Sequence, residues 1–351
     1  MKSMKALRKF ERGVKKFRLE DVSLPDPLDH EVQVRVEFAG ICGTDIHIYH
    51  DTYADEPPMT IGHEFSGVIT KVGRDVKNFK VGDRIVSETN AEYCGECVLC
   101  KKGRFCLCDD RKAFGQKTDG VFAEYANLRA SNLHLLPAKV SMKEAALAEP
   151  LSCVVHAVME RSTILAGDTV LVSGPGPIGL MALMIAKLYG AYVILSGTSM
   201  DASRLALGRE LGADVIVDVL KEDLSQVVTE FTRGRGIDVV LECSGSGAAV
   251  NAGLSVLRKL GTFTQIGLFA SAVNVNINDI CYKEINYQGC LSKTNWSWRR
   301  TVELLESGEL PLEKLISHVF TLDEWEDAFT VAEQKQGNKI LFDTNTERGD
   351  A

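Results

Sequence analysis

The spacing of apolar positions changes character near residue 150. Before that point apolar residues come in short runs broken by turn residues. Val32-Gln33-Val34-Arg35-Val36 alternates with a period of two, Gly67-Val68-Ile69 runs toward Gly73, and Lys80-Val81-Gly82-Asp83 reads as a turn feeding a strand at Arg84-Ile85-Val86. Such runs predict an all-β, barrel-like region. Beyond it, solid apolar triplets at Val170-Leu171-Val172, Val193-Ile194-Leu195, Val215-Ile216-Val217 and Val239-Val240-Leu241, then Phe263-Thr264-Gln265-Ile266, alternate with helical patterns, the first over 178–189. Strands with no polar face, separated by helices, predict a parallel sheet covered on both sides. An amphipathic helix over 299–307 and a strand over 339–342 follow. That tail is too short for a third domain and is expected to pack back on the first region. The pattern therefore predicts an α/β protein with a β-barrel-like domain at 1–151, a doubly wound domain at 152–290 and a returning segment at 291–351.

Composition agrees and removes some alternatives. The 351 residues suit two domains of roughly 100–200 residues each. At 45% hydrophobic and 25% charged residues, a disordered or collagen-like chain is excluded. Forty basic residues against 48 acidic give a net charge of −8, which offers no basic field to nucleic acid or to an anionic membrane. A long stretch without a charged residue, 169–186, contains Gly174-Pro175-Gly176-Pro177, which interrupts any spanning helix. The opening Met1-Lys2-Ser3-Met4-Lys5 leads into no apolar signal core, so a cytoplasmic protein is expected, with neither nucleic acid nor membrane as partner.

Two motifs carry chemistry by spacing alone. Five of the ten cysteines fall at Cys94, Cys97, Cys100, Cys106 and Cys108, within a lobe at about 90–110. Four of them, in the form Cys94-x-x-Cys97-x-x-Cys100-x7-Cys108, can close a tetrahedral shell with no open position, the arrangement of a structural zinc. An iron–sulfur cluster is the alternative, and Cys106 reads as a spare thiol or a packing residue. The second motif, Gly174-x-Gly176-x-x-Gly179 with Pro177 and Ile178 between, lies between a strand and a helix. That context makes it a dinucleotide loop whose helix N-terminus faces a pyrophosphate, against the alternative of a plain turn. No acid occurs between Asp168 and Asp201, where a carboxylate for the ribose of NAD is expected. Thr198, Ser199 and Arg204 could instead receive a 2′-phosphate, which favours NADP over NAD. The alternative is that Arg204 is a surface charge and Asp201 a helix cap. Ser244 and Gly267, after later strands, complete the candidate cofactor contacts.

A further metal site is suggested by Cys42 in Gly40-Ile41-Cys42-Gly43-Thr44-Asp45, His63 and Glu64 in Gly62-His63-Glu64, and Glu149 in Ala148-Glu149-Pro150-Leu151. None is specific alone. Together with Gly82-Asp83-Arg84-Ile85, the four-cysteine lobe and Gly174-Pro175-Gly176-Pro177-Ile178-Gly179, they make the chain resemble the zinc-dependent medium-chain alcohol and polyol dehydrogenases over nearly its whole length. The resemblance implies a GroES-like catalytic domain, a Rossmann domain inserted near its end, and a catalytic zinc in the cleft between them. Glu149 stands where the alcohol dehydrogenase branch has a cysteine. This resembles the sorbitol, threonine and polyol-phosphate branch and implies a zinc held by Cys42, His63 and one or both of Glu64 and Glu149. Cys153 reads as a buried residue and not as a ligand.

In that family an open zinc position binds the substrate hydroxyl and lowers its pKa, and a hydride passes to C4 of the nicotinamide. Thr44 resembles the family's relay hydroxyl, and His47 is the candidate proton acceptor beyond it, against the reading of an ordinary surface histidine; His50 is the weaker choice. Glu64 doubles as a catalytic candidate, Asp45 is expected to cap a helix start, and Lys293 in the polar run 292–295 is expected to meet a substrate group or to sit in a plain loop. Trp296 and Trp298 read as core or subunit contacts. The expected activity is oxidation of a secondary alcohol, polyol or sugar (phosphate) hydroxyl by a homo-dimer or homo-tetramer, with NADP favoured over NAD. A threonine-type or NAD-dependent alcohol dehydrogenase, and a non-catalytic dinucleotide-binding redox sensor, are the alternatives.

Overall fold

The computed structural model describes residues 3–269 and 271–345. The chain forms two compact units, Met1–Pro150 with Thr294–Ala351, and Leu151–Lys293.

In the first unit the strands Leu133–Leu135, Arg84–Ser87, Glu64–Val72, Glu31–Gly40, Lys339–Asp343 and Ile316–Thr321 lie side by side in that order, and Tyr125–Arg129 also pairs with Glu31–Gly40. The terminal segment thus enters the sheet, with Leu341 opposite Gly40. Val32, Val34 and Val36 are fully buried, as their alternation implies. Gln33 between them is only 2% exposed, because both faces of this strand are covered; its amide donates to the Pro25 carbonyl at 3.1 Å. A buried amide is stable only with such a partner. Four short helices, Gly43–Tyr49, Val98–Lys101, Met142–Ala145 and Ala148–Val155, correct the all-β reading of this region. They are too short for a 3.6-residue period to stand out, and side-chain caps mark two of them: Cys97 accepts from the Cys100 N–H and Ser141 from the Glu144 N–H.

The second unit holds a six-stranded sheet in the order Val215–Asp218, Tyr192–Gly197, Thr169–Ser173, Ile237–Glu242, Leu257–Gln265 and Asn286–Gly289, with every pairing parallel. Successive strands therefore build outward in both directions from Thr169–Ser173. In such a sheet ligands bind beyond the carboxyl ends of the strands where the order reverses. The apolar triplets at 170–172, 193–195 and 239–241 are central and almost wholly buried, while the polar edge strand Asn286–Gly289 carries no apolar run to announce it. The helix Pro177–Leu188 follows the first strand. In the first unit's returning segment, the helix Asn295–Ser307 starts earlier than its amphipathic pattern because Thr294 caps it by accepting from the Ser297 N–H. Among the described residues no helix is long and apolar enough to cross a membrane.

Candidate functional site

Strand register assembles the first group of donors. Gly40 at the end of one strand faces Glu64 at the start of its antiparallel neighbour, and the chain then turns through Cys42 into the helix Gly43–Tyr49. The side chains of Cys42, His63 and Glu64 each bring a ligand atom within 4.8 Å of the others. Asp45, fully buried in the first turn of that helix, accepts the Cys42 N–H at 2.8 Å through Oδ2 and presents Oδ1 to Nδ1 of His63 at 3.4 Å. A carboxylate behind one ring nitrogen orients the imidazole and leaves Nε2 for a metal. Burial disfavours a charged His63, yet Asp45 and Cys42 raise its pKa well above the ordinary value. The pocket is thus one in which positive charge is welcome, and its sulfur, nitrogen and carboxylate donors suit zinc. Asp45 is more than the helix cap expected of it.

The Glu64 carboxylate also contacts the Lys339 ammonium, and that ammonium donates to the Ile41 carbonyl at 2.9 Å. Both side chains are almost completely buried, and Lys339 arrives on the returning strand. Its spacing carried no signal, because only the long-range pairing of Lys339–Asp343 with Glu31–Gly40 brings it here. Glu149, expected to complete the shell, is buried but is not among the donors gathered within 4.8 Å. It stands in the first turn of Ala148–Val155, so its reach depends on a helical rotamer and not on the strand register that places Cys42 and Glu64.

Thr44 and His47 lie one helical turn apart on Gly43–Tyr49 and so share a face. His47 is exposed, with Nδ1 3.2 Å from the Thr52 hydroxyl, which itself donates to the His47 carbonyl at 3.1 Å. In the tautomer that lets the Thr52 hydroxyl give its proton to that carbonyl, Nδ1 donates to the hydroxyl and Nε2 is left to accept. His50 is paired with Glu333 at 2.6 Å.

The four lobe cysteines form the second donor group. Cys94 and Cys100 sulfurs are 3.9 Å apart, and those of Cys94 and Cys108 3.6 Å. A tetrahedral zinc with bonds of about 2.3 Å spaces its sulfurs about 3.8 Å apart, so the cage already has the right size. The N–H groups of Cys97 and Glu96 bring the Cys94 thiol down to about 7, whereas burial pushes Cys100 up to about 12. Cys106 is buried outside this group. Arg111 closes the base of the lobe, donating to Asn90 at 2.7 Å and to the Thr89 hydroxyl at 3.0 Å.

In the second unit the glycine loop leaves no room for side chains at its ends. Gly174 has φ +96°, and a Cβ on it would lie 2.8 Å from that of Ser244; a Cβ on Gly179 would lie 1.9 Å from the Gly174 carbonyl oxygen. Gly176 caps the helix, Pro177 and Ile178 open it, and a Cβ at Gly176 would meet nothing within 4 Å. The middle glycine is therefore dispensable for packing and open to a ligand. Gly176→Ala is expected to leave the melting temperature unchanged while raising the Kd for NADH about tenfold, whereas Gly179→Ala lowers both stability and binding; thermal melts and nicotinamide fluorescence read the difference.

Ser244 and Gly267 are organised by a residue that sequence reading missed. The fully buried Glu242 accepts the N–H groups of Ser244 at 2.8 Å and Gly245 at 3.1 Å, the Ser244 hydroxyl, and the Gln265 amide at 2.6 Å, and its backbone carbonyl accepts the Gly267 N–H at 2.8 Å. An acid ending an apolar strand was the available clue. Thr198, Ser199 and Arg204 do sit together beyond Tyr192–Gly197, but Thr198 donates to Asp201 at 2.7 Å, Ser199 to Asp218 at 2.5 Å, and Arg204 lies 3.8 Å from Asp201. Lys293 is buried, Trp298 is buried and stacks on His134 at 5.1 Å, and Trp296 is exposed.

Comparison with known proteins agrees with this geometry. Residues 28–138 match the alcohol dehydrogenase GroES-like domain and residues 177–307 the zinc-binding dehydrogenase domain. The chain is 42% identical over 348 residues to D-arabitol-phosphate dehydrogenase of Enterococcus avium, covering 99% of each chain. It is 41% identical over 340 residues to sorbitol dehydrogenase of Halalkalibacterium halodurans, covering 97% of this chain and 99% of the relative. A zinc-binding dehydrogenase from Sinorhizobium meliloti, solved bound to NADP, superposes with a TM-score of 0.91 at 32% identity, over 98% of this chain and 100% of that one. The chain belongs to the zinc-dependent medium-chain dehydrogenases, oxidoreductases of alcohol hydroxyls that use zinc and a nicotinamide dinucleotide.

Proposed function

We propose that this dehydrogenase acts on a secondary hydroxyl of a polyol or sugar phosphate, with Cys42, His63 and Glu64 holding the catalytic zinc, Glu149 approaching it from its helix, and Cys94, Cys97, Cys100 and Cys108 holding a structural one. The observation that carries the reading is the Cys42–His63–Glu64 group, its thiol half-buried and its histidine and glutamate buried, with Asp45 behind the imidazole. The full-length relatives named for arabitol phosphate and sorbitol support the substrate class. Bound zinc supplies the positive charge that acidifies a substrate hydroxyl, and the dinucleotide supplies the hydride acceptor.

The chain's own residues do the rest. Asp45 fixes the His63 tautomer, and Lys339 balances the charge of Glu64 in a dry environment. The Thr44 hydroxyl, two residues after Cys42, receives the substrate proton at Oγ1, and Nε2 of His47 is the acceptor beyond it on the same helix face. The loop around Gly174, Gly176 and Gly179 takes the pyrophosphate, while Ser244 and Gly267 are positioned by Glu242 beside it. The lean to NADP drawn from Thr198, Ser199 and Arg204 is weakened by the carboxylates that already occupy them.

Steady-state assays on free polyols, polyol phosphates, threonine and simple secondary alcohols, each with NAD and NADP, test the proposal. The expected result is a kcat/KM for a polyol or polyol phosphate at least about tenfold above that for simple alcohols. Threonine as the best substrate would overturn the substrate class, and turnover of none would favour the redox-sensor reading.

A further inference from the structure

The parallel register sets Gly197, last residue of its strand, beside Asp218, last residue of Val215–Asp218. A Cβ on Gly197 would come within 2.9 Å of the Pro175 ring, so this strand end lies against the glycine loop. The Ser199 hydroxyl donates to Oδ2 of Asp218 at 2.5 Å, the Leu220 N–H donates to Oδ1 at 3.1 Å, and the Lys221 ammonium is 3.0 Å from Oδ2. The Ser199 hydroxyl above all, with help from Lys221, holds the Asp218 carboxyl below its ordinary range, so it is ionised at neutral pH. On the other side of the loop, Asp201 accepts from Thr198 and faces Arg204. A segment with no acid of its own from 169 to 200 is thus flanked by two carboxylates, and the cations beside it, Arg204 and Lys221, are each paired with one of them.

On the reading that the glycine loop binds a dinucleotide, we propose that Asp218 supplies, from the neighbouring strand, the carboxylate that Tyr192–Gly197 lacks, and that it selects the ribose 2′-hydroxyl of NAD against the 2′-phosphate of NADP. A 2′-hydroxyl needs only an acceptor, and the Asp218–Ser199 pair presents acceptor oxygens. A 2′-phosphate brings further negative charge toward two carboxylates, and it gains Lys221 or Arg204 only by breaking an existing ion pair. Discrimination here comes from repulsion as much as from attraction. The device escapes a search along the chain because the acid stands on the next strand, after an intervening helix.

The test titrates the full-length chain with NADH and with NADPH by nicotinamide fluorescence, comparing wild type, Asp218→Asn, and Asp218→Asn combined with Lys221→Ala, with a thermal melt on each. Asparagine keeps the acceptor for the Leu220 N–H, removes the charge and puts an amide donor where Oδ2 accepted the Ser199 hydroxyl and met Lys221. Wild type is expected to bind NADH at least about tenfold tighter than NADPH. Asp218→Asn is expected to bring the two affinities within about threefold, chiefly by tightening NADPH through the released Lys221, and Lys221→Ala is expected to reverse that gain. An unchanged NADH-to-NADPH ratio in a folded Asp218→Asn chain overturns the proposal, and so does tighter NADPH binding by wild type, which needs no variant to fold. Failure of wild type to bind either nucleotide is a separate outcome, and it sinks the dinucleotide loop itself along with the role of Asp218.

Discussion

Replacing Cys42 by serine is expected to abolish alcohol oxidation, lowering kcat by about a thousandfold or more, and to reduce bound zinc from about two ions per chain to about one. A thiolate is a soft, charged zinc ligand, whereas a serine hydroxyl is neither charged nor a good zinc donor. The change is nearly isosteric, and the backbone of residue 42 keeps its hydrogen bond to Asp45, so the helix start survives. Melting temperature should therefore move little. Metal analysis of the purified chain separates loss of zinc from loss of a catalytic contact, and NADH binding reports on the glycine loop independently. Oxidation that persists at a comparable rate in this variant would show that the Cys42–His63–Glu64 group is not the catalytic metal site.

What the sequence reveals of this site, and what it hides, follows from how the residues are held. The glycine loop and the four-cysteine lobe are local: a strand, a tight turn and a helix start within a few residues force Gly174 and Gly179, and a single loop of fifteen residues must supply all four thiols. Spacing reports such sites directly. Asp45, Lys339, Glu242 and Asp218 act through pairing across strands or packing against a helix start, and no spacing rule connects Lys339 with Glu64 across the length of the chain. Periodicity has a related blind spot. It shows that Val32, Val34 and Val36 face a core, but it assigns Gln33 to solvent, because burial of the second face is decided by residues elsewhere. Two short helices of the first unit, Val98–Lys101 and Met142–Ala145, escape periodicity for the opposite reason, being fixed by single side-chain caps and not by a repeated pattern.

Breaking the cysteine lobe is expected to have the largest effect on stability. In Cys100→Ser the melting temperature should fall by about 10 °C, since a structural zinc contributes several kcal/mol through its ligands and each kcal/mol shifts a domain of this size by about 2–4 °C. Cys100 is the telling position because it is buried, and its thiol in the metal-free lobe is pushed up to about 12. Binding zinc must therefore displace a proton that burial holds tightly, so metal affinity rises with pH and falls as acid competes for the sulfurs. Chelator-driven zinc loss should accelerate from pH 8 to pH 6, a direction set by Cys100, while Cys94, already near 7, contributes its own proton competition across the same window. Released zinc measured with a colorimetric chelator, alongside the melt, checks both the direction and the coupling. The same measurement decides the metal: a chain that releases iron and carries visible absorbance would replace the zinc lobe with an iron–sulfur cluster, whereas colourless protein whose stability tracks released zinc fits a cage whose sulfurs stand 3.6 and 3.9 Å apart.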